Sequence, residues 1–256
     1  MATPLAINIQ NTPGLFDAPT TADLRESSAT YNELPHIETQ SNIPQQHLTA
    51  LLTILSRYGL EKVFGFHLIH RHDEIGGDMV RIEASLKSEP GTWTKPVPID
   101  HANLANIHGS LFMLQRDGRL VAYEYREGQP EPFLSADNPP FFQELAEYIL
   151  KNDLARLIAL EVLDRRHLHH DSWAEYELEG GSTVVLAKPR TNRGNFARAT
   201  GWTHNPDKAL VDGDPQPGTH YENTTKGTHR VFVSKSSLQD EKGLMDALRA
   251  MDILKA

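Results

Sequence analysis

The chain predicts an α+β fold, with a mainly antiparallel, curved sheet built from hairpins and flanked by three or so helices. Three features of the 256-residue sequence lead there. β-rich segments come in pairs separated by glycine-containing turns rather than alternating singly with helices. Three amphipathic segments carry apolar residues at helical spacing. No glycine-rich phosphate loop follows a strand, so a nucleotide-binding doubly wound fold has no support.

The helices are expected at 44–58, about 140–151 and 237–254. In the first, Leu48, Leu51, Leu52 and Leu55 recur on one side, Pro44 suits the opening turn and Gly59 a C-terminal stop. In the second, Phe142, Leu145, Ile149 and Leu150 lie together, and in the third Leu244, Leu248 and Met251. Residues 1–43 are rich in Thr, Pro, Asn and Ser and read as an irregular arm, with Ile7, Leu15, Phe16 and Leu24 able to dock on the single α+β domain formed by 44–256.

Three hairpins are expected. The first joins 62–72 to 78–86 through "DEIGG". The second joins "HGSLFMLQ" to "RLVAYEY" through Asp117-Gly118, and the third joins "WAEYELE" to "STVVLAK" through Gly180-Gly181. The segment "LARLIALEVLD" suits helix or strand. "FARATGW" and "HRVFVS" are short strand candidates.

Composition narrows function. The formal charge of −9 and the lack of a basic stripe disfavour nucleic-acid partners. With no cysteine, thiolate catalysis, disulfides and Cys-ligated metals are excluded. No apolar run reaches the ~18 residues of a membrane span, and the first residues lack the pattern of a secretory signal. A cytoplasmic, soluble protein is the expectation. The oligomeric state is not legible.

The chemistry-bearing stretch is "FGFHLIHRH". If 62–72 is one strand, alternation puts Phe64, Phe66, Leu68, His70 and His72 on one face, with His67 on the other. An imidazole pair two residues apart can converge on one ion. Register across Asp117-Gly118 groups Phe112, Leu114, Val121, Tyr123 and Tyr125. It leaves Glu124 with Leu111, Met113, Leu120 and Ala122, an apolar setting that would raise a carboxyl pKa. His70, His72 and Glu124 are therefore the candidate catalytic residues and the candidate ligands of a divalent metal ion. Phe66, Tyr123, Trp202 and His108 are the candidate substrate-binding residues.

The remaining clusters read as solvated or structural. They are 164–171 ("DRRHLHHD"), the basic run with Lys188, Arg190, Arg193 and Arg198, and His220, Glu222 and His229 in a late polar region. The functional expectation is an enzyme acting on a hydrophobic small molecule in an aromatic-lined pocket through a His/carboxylate site, with or without metal, in lyase, isomerase/cyclase or oxygenase chemistry. The alternatives are a non-catalytic small-molecule binding protein and an interaction protein whose histidines are incidental.

Overall fold

A computed structural model describes residues 12–129, 138–164, 172–187, 190–191, 196–204, 219–223, 230–231 and 238–255. Its helices are α1 (Thr21–Asn32), α2 (Gln45–Arg57), α3 (Pro139–Lys151) and α4 (Glu241–Ala250). Its strands are β1 (Phe64–Leu68), β2 (Met79–Ser85), β3 (Gly91–Pro98), β4 (Ile107–Leu114), β5 (Leu120–Glu127), β6 (Ile158–Val162), β7 (Ser172–Leu178), β8 (Ser182–Ala187), β9 (Phe196–Trp202), β10 (Thr219–Asn223) and β11 (Arg230–Val231). Among the described residues no helix is long and apolar enough to cross a membrane.

The strands form one curled, mixed sheet in the order β10-β9-β1-β6-β4-β5-β2-β3-β8-β7-β11. The class is α+β with a curved sheet, as expected. Most pairings are antiparallel, but β2–β5, β7–β10 and β7–β11 are parallel. Because β10 pairs with both β9 and β7, the two ends of the sheet meet.

Two of the expected hairpins form, β4–β5 and β7–β8. The third does not. β1 pairs with β6 and β9, and β2 turns instead to β3, whose proline-rich sequence conceals a strand. The ambiguous "LARLIALEVLD" supplies β6, between β1 and β4.

Helices α2 and α3 pack on the convex face. Leu48, Leu51, Leu52 and Leu55 meet Phe141, Phe142, Leu145 and Ile149 over Phe64, Phe66, Leu68, Phe112, Leu114 and Leu160. α4 covers another part of that face, with Leu244, Met245 and Leu248 on Trp93, Tyr176, Val184 and Leu186.

The irregular arm needs correction, because residues 21–32 are the helix α1. Thr20 caps it, its hydroxyl accepting from Asp23 N–H while the Asp23 carboxylate accepts from Thr20 N–H at 2.7 Å. This reciprocal box satisfies orphan helix donors in a segment with little apolar periodicity. Leu15 and Leu24 are buried as expected, and Ile7 lies outside the described residues. Tyr31, on the last turn of α1, joins a smaller cluster with Leu34, Ile69, Ile75, Leu111, Tyr123 and Ala159.

Candidate functional site

The concave face carries charge. A cavity of about 40 Å³ is lined by His67, His70, His72, Glu83, Glu124, Arg126, Glu161 and Glu175, together with Thr94, Ser110, Leu111, Thr183 and Val185. These side chains come from strands all around the curl. Space of that size admits a metal ion with a few waters, or a small polar group.

His70 and His72 reach this cavity by a route alternation does not foresee. β1 ends at Leu68, and regular strand alternation ends with it. The His70 ring turns back so that its Nδ1 lies 2.7 Å from the Leu68 carbonyl, which also accepts from His67 Nδ1 at 2.9 Å. His70 therefore shares a face with His67, the rings stacked 5.3 Å apart, and His72 stands edge-on to His70 at 4.8 Å. Phe66 remains on the convex face. The expected grouping of Phe66 with the two histidines is thus overturned, because strand parity holds only within a strand.

Glu124 also lines the cavity, though the register that placed it there differs. Gln115 and Arg119 close a three-residue loop around Asp117-Gly118, with Gly118 at φ +86°. Leu114 then pairs with Leu120 and Phe112 with Ala122, one step from the two-residue turn expected. A local slip between Gly109 and Phe112 pairs Leu111 with Glu124 and turns Glu124 to the concave side. There it accepts from Arg81 Nε at 2.8 Å.

The other predicted substrate-binding residues are not part of the cavity lining. Trp202 is buried with Phe66 on the convex face, where the two residues are register partners. Tyr123 sits in the cluster around Tyr31, and its hydroxyl has no partner among the described residues. His108 is buried with Nδ1 3.0 Å from the Gly128 carbonyl, and burial lowers its pKa.

Parts of the peripheral clusters also resolve. Arg190 pairs with Glu89, and Arg198 donates to the Ile37 carbonyl, so these two cations hold structure. Residues 165–171, Lys188, Arg193 and His229 lie outside the described residues, as do the side chains of His220 and Glu222.

The site contains residues the sequence did not single out. Glu175 and Glu177 alternate on β7 with Ala174, Tyr176 and Leu178, which pack in the α4 cluster. Glu175 Oε1 lies 3.2 Å from His72 Nε2, and Glu177 Oε2 lies 3.8 Å from His72 Nδ1. Arg126 donates to Glu83 at 2.5 Å and to the Val162 carbonyl at 2.7 Å. Arg81 also donates to the Gly181 carbonyl and to Thr183 Oγ1, and its guanidinium lies 5.0 Å from the Tyr31 ring centre.

This environment separates the titrating groups. Burial, reinforced by His72 and His67, holds His70 well below the ordinary imidazole value. Burial pushes Glu175 upward, but His72, its hydrogen bond and the other imidazoles outweigh this and leave the carboxyl well below its usual range. Burial raises Glu161 to about 7, with His67 and Arg126 opposing.

Ligand atoms of His70, His72 and Glu175 all lie within 4.8 Å of one another, and all three residues are buried. Two imidazoles and a carboxylate are a donor set for zinc and for other first-row divalent cations. His70 can donate through Nδ1 to the Leu68 carbonyl, which leaves Nε2 as its ligand atom, the orientation seen when a metal-bound histidine is held from behind. Comparison with protein-family models, with curated proteins and with solved structures finds no match.

Proposed function

We propose that this protein is a metal-dependent enzyme acting on a small molecule at the concave face of its sheet, with a divalent cation held by His70, His72 and Glu175. The observation that carries this reading is the convergence of those three buried donors within 4.8 Å. Charge supports it. Around the imidazoles stand the carboxylates Glu83, Glu124, Glu161, Glu175 and Glu177, with the guanidiniums Arg81 and Arg126 engaging Glu124 and Glu83, a carboxylate-rich setting that suits a cation.

Glu124 is the weaker ligand candidate because Arg81 already engages it. Glu175 takes its place in the donor set. The cation would polarise a substrate oxygen or activate water or oxygen, as lyase, isomerase and oxygenase chemistry requires. The polar lining favours a polar reacting group. The apolar cavity under α3 is only about 10 Å³ and offers no room to a hydrophobic ligand.

Metal analysis and calorimetric titration with Zn²⁺ on untagged protein test the reading. One ion per chain is expected for the wild type and none for His70→Ala/His72→Ala. Glu175→Gln should weaken binding strongly, while Glu124→Gln should retain the ion. A wild-type chain that takes up no cation, or a double variant that keeps it, would end the proposal.

A further inference from the structure

Among the described residues, each cavity carboxylate but one is engaged. Glu83 holds Arg126, Glu124 holds Arg81, and Glu175 bonds His72. Glu161 is buried, lines the same cavity, accepts no hydrogen bond and joins no ion pair among the described residues. Its position is fixed on β6, in the middle of the sheet, with Gly65 of β1 and Leu111 of β4 as its register partners. A buried carboxyl without a partner is costly to keep, and structure alone supplies no reason for it.

We propose that Glu161 is the acid–base residue of this site, the carboxyl that exchanges a proton with water or substrate held at the cation. The inference rests on the metal reading above and adds a second, separate role. In the step envisaged, an O–H bond of the held water breaks, the proton passes to a Glu161 oxygen and the hydroxide oxygen keeps the bonding pair. When product forms, the carboxyl returns the proton to the leaving atom. Neither half needs an oxidant or reductant.

The division of labour among the carboxylates follows from their surroundings. Glu83 and Glu124 are committed to guanidiniums, and Glu175, held well below the usual carboxyl range by His72, is the proposed ligand. Glu161 faces His67 from β1, Arg126 from β5, Glu83 from β2 and Glu175 from β7, with no bond to any of them. In the metal-free chain, burial against these mixed charges poises it near neutrality, where a group serves as donor and acceptor about equally well.

The test uses the full chain loaded with Zn²⁺ and its Glu161→Gln variant, near-isosteric with the native residue. Infrared difference spectra of the chelated, metal-free chains across pH 6–8 (roughly one unit either side of the carboxyl's midpoint) read protonated carboxyl directly. Hydrolysis of 4-nitrophenyl acetate reads proton transfer at the metal. The variant is expected to bind one Zn²⁺ with affinity close to wild type, to lose the titrating carboxyl band, and to hydrolyse the ester on the order of 10²-fold more slowly.

A variant that keeps the band overturns the proposal, as does one that loses Zn²⁺, since Glu161 would then be a ligand. If the wild type does not turn over this ester, the infrared band decides. Should Glu161→Gln fail to fold, Glu161→Asp replaces it, with a shifted band expected and an unshifted one fatal. A wild-type chain without Zn²⁺ removes the metal reading instead, an outcome the binding measurement separates from the rest.

Discussion

Arg81 shows how far the charged interior holds the fold together. Its side chain is 1% exposed and donates to Glu124, to the Gly181 carbonyl and to Thr183, so it ties β2 to β5 and to the β7–β8 hairpin. Arg81→Ala removes all of these at once and leaves Glu124, only 12% exposed, as an uncompensated anion. Breaking a buried pair from one side costs about 3–5 kcal/mol, against a total stability of roughly 5–15 kcal/mol for a folded domain. For a chain of this length that corresponds to a fall in Tm of about 6–20 °C. Urea denaturation followed by circular dichroism measures the loss. The double variant Arg81→Met/Glu124→Leu should recover most of it, because both charges leave together. A loss below ~1 kcal/mol, the scale of an exposed ion pair, would show the guanidinium to be solvated, and the reasoning would fail.

The pH dependence of stability has opposing parts, worked out for the chelated, metal-free chain. Glu161 titrates at about 7 when folded, above its ordinary value, so its contribution is full in acid and lost as pH rises towards neutrality. Its neighbours His67, Arg126, Glu83 and Glu175 set that field. His70 and His108, both lowered, work the other way and cost stability as pH falls below the ordinary imidazole value. Glu161→Gln should therefore gain on the wild type between pH 5 and pH 8 by on the order of 3 kcal/mol, measured by urea midpoints. An equal difference at both pH values contradicts the assignment. Tyr123→Phe deletes a buried hydroxyl with no partner among the described residues and should stabilise by about 1 kcal/mol; destabilisation would reveal a hidden partner. Glu177→Gln, behind His72, should lower Zn²⁺ affinity about 10–100-fold, and unchanged affinity in calorimetry would remove Glu177 from the site.

Elements whose signals are local were legible in the sequence. The leucines of α2, and Phe142, Leu145 and Ile149 of α3, recur at helical spacing and are buried. The Asp117-Gly118 and Gly180-Gly181 turns mark the hairpins that form, with Gly118, Gly180 and Gly181 all at positive φ. The partner of β1 was not legible, since β6 lies some ninety positions on and nothing in "FGFHL" names it. α1 escaped because its polar composition hides a capping box at Thr20 and Asp23.

At the site, clustering points to His70 and His72, and the end of β1 at Leu68, past which alternation no longer aims them, is not legible. Glu175 and Glu177 carry no signal of their own, because carboxylates alternating with apolar residues are the ordinary pattern of a strand with one solvated face. The same alternation arises when α4 covers Ala174, Tyr176 and Leu178 and the opposite face closes on charge. One hint was available. Arg81 and Glu83 on β2 mirror Glu124 and Arg126 on β5, the complementarity expected of strands that lie side by side.

The parallel contact between β7 and β10 spans four residue pairs, and it is the join at which the curl is fastened. Parallel pairing is the slightly less stable kind per residue. Glu175 stands on β7 at that join and is itself one of the paired residues, while His70 and His72 follow β1 on the far side of β9 and β10. An ion shared among them would act as a clasp across this parallel seam, so occupancy of the centre and closure of the sheet would rise and fall together.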